Sequence, residues 1–371
     1  MSTRKILILQ GGGALGAYEC GVYQELAPGL DDLAVVAGTS IGAINASLIA
    51  KHYRQEDRGA ATLERFWKDI LANPSFPFCP IPGAFQPLHA VWTSVLFGNR
   101  HLFTPRLWNP LVPLSAQSFY SAQPMEQTVD HHFGGYGPGK AEPRLILTAV
   151  DIQAGTMRAF DSFQERITAQ QVVACCSLPP AYPAKACEGK FYWDGGLWSN
   201  TPLPEVLNAL QASQMSELSP LYRVYIVDVF PSQGEVPRNL LEVSPRMAEI
   251  IFADKTVYDK KAAEWVNRYI SLLWALKSCK DELPSSLQER LTQEYNEVPA
   301  LEKRVILDIT YIKRSALPYE EISSGSDFSP ERIGLLMAQG RTDAKQALET
   351  RAKEPVARLW SSRAEESLAQ R

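Results

Sequence analysis

A single pentapeptide, Gly38-Thr39-Ser40-Ile41-Gly42, constrains this chain more than any other stretch. It follows the apolar run Leu33-Ala34-Val35-Val36-Ala37 and precedes the helix-prone Ala43-Ile44-Asn45-Ala46-Ser47-Leu48-Ile49-Ala50. A G-x-S-x-G at a strand-to-helix junction reads as a nucleophile elbow. The turn is sharp, so Gly38 and Gly42 must lack side chains, and the serine is pushed out at the helix N-terminus. Such an elbow needs strands that feed directly into helices, and the chain alternates from its start. Residues 6–9 read as a strand, 14–26 as a helix, 33–37 as a strand and 41–53 as a helix. A further helix over about 60–71 carries Leu63, Phe66, Trp67 and Ile70 on one face. That alternation favours a parallel sheet with helices on both sides.

The loop Gln10-Gly11-Gly12-Gly13-Ala14-Leu15-Gly16 follows the first strand and opens the first helix. Consecutive glycines let backbone N–H groups converge at a helix N-terminus, where the partial positive charge favours an anion. An acyl-transfer oxyanion needs that geometry. Two other readings stay open at this point. Gly11, Gly13 and Gly16 fit G-x-G-x-x-G, which would make a nucleotide-binding module. That motif wants an acid at the end of the second strand, and Asp31 and Asp32 precede the strand instead. The loop could also be only a tight strand–helix turn.

Asp194-Gly195-Gly196 follows Phe191-Tyr192-Trp193 and leads into Leu197-Trp198-Ser199-Asn200-Thr201-Pro202. An isolated D-G-G is usually a turn, and the histidines raise its value. The five are His52, His89, His101, His131 and His132; none follows Asp194 and none precedes Ser40. With Asp194 as the acid, the Ser…Asp…His order is impossible, and the two common orders in which serine comes last also fail. His52 lies three turns along the helix after Ser40. His89 and His101 lie in an irregular proline-rich stretch, and His131-His132 beside a Gly-rich surface loop. The economical alternative is a Ser–Asp dyad in which a carboxylate takes the serine proton directly.

Three blocks, Gly11-Gly12-Gly13-Ala14-Leu15-Gly16, Gly38-Thr39-Ser40-Ile41-Gly42 and Asp194-Gly195-Gly196, resemble those of patatin-like phospholipases in order and spacing. The likeness extends to Asn200-Thr201-Pro202 and covers about residues 5–210. It implies a three-layer α/β/α sandwich with a mostly parallel central sheet, plus a helical C-terminal extension. It implies lipid acyl hydrolysis with Ser40 as nucleophile, Asp194 as general base and Gly11, Gly12 and Gly13 as the oxyanion loop. Gly16, Gly38, Gly42, Gly195 and Gly196 complete the motifs. Several family members carry a basic residue in the glycine loop; Ala14 and Leu15 stand there in this chain, which argues against a strong phosphate preference. An acyltransferase working through the same acyl-enzyme is the alternative within this chemistry.

Composition sets outer bounds. A hydrophobic share of 45%, a charged share of 21% and a net charge of −4 are ordinary for a soluble globular protein and argue against nucleic acid as a partner. The partner expected is a lipid or ester substrate, with peripheral membrane contact open and the oligomeric state unassigned. The six cysteines show no C-x-x-C and no metal spacing, so reduced thiols, no metal and no cofactor are expected. The run at 6–9 is too short for a signal peptide, and no stretch has the ~18 apolar residues of a membrane span. The expectation is a cytoplasmic protein that reaches lipid from the aqueous side.

Further along, 145–150 reads as a strand with 157–160 beside it, 169–174 as a buried helix and 224–230 as a buried strand. Residues 73–123 are dense in proline and aromatics, including Trp92, Phe97 and Trp108. They read as a lid that receives acyl chains, or as a segment covering the core. Beyond the domain at 5–210, residues 211–351 hold the remaining strands and the helical extension. Helices are expected over about 242–279, 284–296 and 330–351, a strand over 305–312, and a charged tail over 352–371.

Overall fold

The apolar runs at 6–9 and 33–37 lack polar alternation, the pattern of strands buried on both faces. In a computed structural model they form adjacent parallel strands. The structure describes residues 3–71, 98–106, 117–212, 221–230, 233–238, 246–253, 283–297, 306–315 and 325–353, with 243, 272, 276 and 279. Strand β1 (Arg4–Leu9) passes through a 3-10 turn (Gly13–Leu15) into α1 (Gly16–Leu26), and β2 (Leu33–Thr39) turns into α2 (Ile41–His52). Next come α3 (Ala60–Asp69), the two-residue ladder of β3 (Thr104–Pro105) and β4 (Tyr120–Ser121), and α4 (Gln123–Phe133). They are followed by β5 (Arg144–Asp151), β6 (Thr156–Asp161), α5 (Ala169–Cys175), the hairpin β7 (Lys185–Cys187) and β8 (Lys190–Asp194), and α6 (Leu203–Ala212). The C-terminal part supplies β9 (Leu221–Asp228), α7 (Ser285–Glu297), β10 (Ile306–Lys313) and α8 (Pro330–Lys353).

The main sheet runs β10-β9-β1-β2-β5-β8-β7, with β6 on β5. Pairings from β10 through β5 are parallel; those of β5 with β6 and β8, and of β7 with β8, are antiparallel. Alternation sends Leu7, Leu9, Val36 and Leu147 to one face, where residues of α1 to α5 and α8 pack. Ile6, Ile8, Val35, Ala37 and Ile146 point the other way, onto Leu203, Val206 and Leu210 of α6. Each such buried aliphatic side chain contributes about 2 kcal/mol of transfer free energy. The result is the expected α/β/α sandwich with a mostly parallel sheet, its described helices weighted toward one face. The strand expected over 305–312 takes the outer place beside β9.

Part of the proline-rich segment is core material. Leu102 and Phe103 are buried, and the Phe103 ring centroid lies 4.9 Å from that of Tyr120. The lid residues Trp92, Phe97 and Trp108 and the proline cluster lie outside the described residues. So do most of 242–279 beyond the helical residues 246–253 and the tail beyond Lys353.

Candidate active site

Strands β1 and β2 pair with Leu9 opposite Gly38, so both chains turn at the same edge of the sheet. Crevices at the carboxyl ends of parallel strands are the usual ligand sites of such sheets. At the β2 turn Ser40 has φ 54 and ψ −128 and caps the N-terminus of α2. This conformation costs an L-residue about 1–3 kcal/mol and persists only where its surroundings over-determine it. Backbone crowding supplies that constraint. A Cβ on Gly38 would meet Gly42 O at 2.1 Å, and one on Gly42 would meet the Leu9 and Gln10 carbonyls at 2.6 Å. The neighbours are main chain and cannot swing aside. Gly38→Ala should therefore destabilise the protein by about 3 kcal/mol in urea unfolding.

Asp194 reaches the serine through a change of strand partner. Along β5, β6 occupies one edge from Ile146 to Asp151, so β2 and β8 must share the other. β2 holds that edge as far as Thr39 opposite Thr148. There the chain leaves at Ser40, and β8 takes over with Asp194 opposite Ala149. The carboxylate thus enters the position that the elbow vacates. Asp194 N–H donates to Ser177 O at 3.0 Å, and Asp194 Oδ1 accepts Gly196 N–H at 2.7 Å. Gly195 passes directly over β5, where a Cβ would meet Thr148 O at 2.5 Å.

The Asp194 side chain is only 1% exposed, and its Oδ2 is buried without a hydrogen-bond partner among the described residues. Burial pushes its pKa up from 3.8 to about 6; the nearby Ser40 hydroxyl and the Gly196 N–H oppose the rise. The Ser40 hydroxyl is therefore close enough to favour the carboxylate form of Asp194.

The glycine loop presses on the elbow from the β1 side. A Cβ on Gly11 would come within 2.6 Å of Ser40 Cβ and 2.8 Å of Asn200 Oδ1. Gly11 N–H is donated to Asn200 Oδ1 at 2.9 Å, whereas the N–H groups of Gly12 and Gly13 meet no acceptor among the described residues. Ala14 N–H donates to Gly325 O at 3.0 Å. Gly16 sits where a Cβ would strike the Ile41 and Trp67 side chains, holding the start of α1 against the start of α2. Ser40 caps the N-terminus of α2, so the partial positive charge of that helix end falls at the serine, with the glycine loop packed against it.

The described histidines lie elsewhere. His52 ends α2, twelve residues and about 18 Å of helix from Ser40, and its ring faces His132 O at 3.4 Å. His132 stands 3.5 Å from Asp69, and His101 accepts from Arg100 Nε at 3.0 Å. His131 and His132 lie in the last turn of α4, which Gly134 ends at φ 61, and the glycine-rich stretch follows them. His89 lies outside the described residues. The acids proposed for nucleotide binding are also misplaced. Asp31 and Asp32 precede β2, and Asp32 O accepts Lys5 N–H at the sheet edge opposite the glycine loop.

Residues to which the motifs gave no role complete the site. The Gln10 side chain donates to Thr201 Oγ1 at 2.8 Å and accepts Val229 N–H at 3.2 Å. The Cys176 thiol donates to Ser40 O at 3.0 Å, and Thr39 and Thr148 share a hydrogen bond at 2.8 Å. Pairings across a hundred residues or more leave no local signal. Gln10, Thr39, Asn200 and Thr201 stand within or beside the motifs, but nothing in the motifs names their partners.

A model of the patatin-like phospholipase family matches residues 7–207, more than half of the 371 residues. The chain belongs to the patatin-like phospholipase family. It is thus placed among lipid acyl hydrolases. The match contains the elbow, the glycine loop and the Asp194 turn, and ends within α6. Among solved structures, VipD from Legionella pneumophila matches at 12% identity and a TM-score of 0.38, covering 94% of this chain and 67% of VipD. The type III effector protein ExoU matches at 15% identity and a TM-score of 0.35, covering 95% of this chain and 54% of its own. The chain therefore spans about half the length of ExoU. Curated protein sequences give no match.

Proposed function

We propose that this patatin-like phospholipase cleaves carboxylic esters of lipids with Ser40 as nucleophile and Asp194 as its base. One observation carries the reading: a fully buried carboxylate faces a strained elbow serine, while the described histidines lie at the far end of α2 or beyond. A carboxyl pushed up to about 6 is ionised at neutral pH yet more basic than a solvated aspartate. Asp194 removes the hydroxyl proton as Ser40 Oγ bonds to the acyl carbon. The negative charge on the carbonyl oxygen is met by the Gly12 and Gly13 N–H groups, with Gly11 as the close wall of the loop. Each donor contributes about 3 kcal/mol to the transition state. The intermediate collapses as the alcohol leaves with the proton from Asp194. Water then attacks the acyl-enzyme, again with Asp194 as base, and releases the fatty acid.

Ala14 and Leu15 are wholly buried, so the glycine loop offers no side chain to a phosphate. This favours recognition of the acyl ester over the headgroup. Among the described residues no helix is long and apolar enough to cross a membrane. Leu197 and Trp198, just beyond the Asp194 turn, are about half exposed, which favours peripheral contact with a lipid surface. Wild type and Ser40→Ala should be assayed on p-nitrophenyl esters, neutral glycerolipid and phospholipid vesicles. The expected result is fatty-acid release from all three classes by wild type, with rates on neutral and phosphorylated lipid within about tenfold, and none by Ser40→Ala. Equal release by the two proteins would refute the proposal.

A further inference from the structure

We infer that Asn200 is a positioning residue that aims the oxyanion donors; the inference rests on the dyad reading above. Asn200 follows Asp194 by six residues and is 1% exposed. Its carboxamide grips one residue of the glycine loop twice: Oδ1 accepts Gly11 N–H at 2.9 Å, and Nδ2 donates to Gly11 O at 3.2 Å. The contact spans 189 residues of sequence and imitates a strand ladder where β1 has already ended.

Peptide planarity carries the consequence one bond further. The Gly11 carbonyl and the Gly12 N–H belong to one trans unit and point in opposite directions. Fixing the carbonyl on Asn200 therefore fixes the direction of the first unpaired N–H in the loop. Three consecutive glycines have little intrinsic preference among backbone conformations, so this loop needs an external anchor to stay preorganised. Gln10 braces the same segment from the other side through Thr201 and Val229, and Thr201 is the next residue after Asn200. The turn that carries the base thus also sets the oxyanion loop.

The anchor should act on the transition state and little on substrate binding. Expected for Asn200→Ala is a fall in kcat of about 10²–10³-fold on a soluble p-nitrophenyl ester, the range for a lost oxyanion donor. KM should change less than about threefold, and the acidic limb of the pH profile should stay where wild type has it. Asn200→Asp has the same shape, keeps an acceptor for Gly11 N–H and loses the donor to Gly11 O. It should lose at least about tenfold in kcat. Rates are expressed per site labelled by a fluorophosphonate run to completion, so partial misfolding does not count as lost catalysis. A purely structural role would lower the labelled fraction and leave kcat per labelled site unchanged. Both variants with kcat per site within twofold of wild type would overturn the inference. Ser40→Ala, assayed in parallel, separates the two levels: if it remains active, the dyad reading has failed, and if it is dead while Asn200→Ala is normal, only the positioning role has failed.

Discussion

Ser40→Gly should abolish ester hydrolysis and leave the protein more stable than Ser40→Ala. Both variants remove the nucleophile and should lose about 10⁴-fold or more in kcat, leaving only what binding and the oxyanion loop provide. They part company in the backbone. Ser40 is held at φ 54 and ψ −128, a region open to glycine and costly to any residue with a Cβ. Alanine keeps that cost; glycine removes it and loses part of the gain to greater freedom in the unfolded chain. The balance expected is about 1–2 kcal/mol in favour of Ser40→Gly over Ser40→Ala in urea unfolding. Equal stabilities would mean that the strain relieved is no more than the ~1 kcal/mol glycine loses to unfolded-chain freedom.

Asp194→Asn should likewise abolish turnover, and it should stabilise the fold above pH 6. Burial raises the Asp194 pKa from 3.8 to about 6, so the native state holds this proton more tightly than the unfolded chain. Stability contributed by the protonated form is full below pH 3.8 and is lost as pH rises toward 6. Above that the ionised carboxylate costs the fold about 3 kcal/mol, from about 1.4 kcal/mol per pKa unit. An amide in its place escapes that cost. Asp228 is also buried with its pKa raised to about 6, so the wild-type profile alone does not isolate Asp194. The difference between wild type and Asp194→Asn does. It should approach about 3 kcal/mol at pH 8 and shrink toward zero near pH 4. In wild type, kcat/KM should fall as pH drops through about 6, because the base must be ionised.

Much of this was legible because the decisive constraints are local. The glycines of the elbow are demanded by contacts within a few residues or with the adjacent strand, and the sequence pattern states that demand directly. The strands at 6–9 and 33–37 announced themselves by unbroken apolar runs. Other features depend on pairings far apart in the chain. Nothing near Asp194 reveals that β8 takes over the edge of β5 where β2 leaves it. Nothing near Gly11 reveals that its N–H is taken by Asn200, which leaves Gly12 and Gly13 as the loop donors with no acceptor among the described residues. The helix that carries His131-His132 has a local stop signal, Gly134 at its C-terminus.

The central claim, a serine activated by a carboxylate, is tested most directly by the rate at which a fluorophosphonate modifies the protein, with the adduct located by peptide mass spectrometry. Expected are a single adduct on Ser40, a labelling rate that rises with an apparent pKa near 6, and loss of that rate by several orders of magnitude in Asp194→Asn. An adduct at another residue, or Ser40 labelling undiminished in Asp194→Asn, would contradict it.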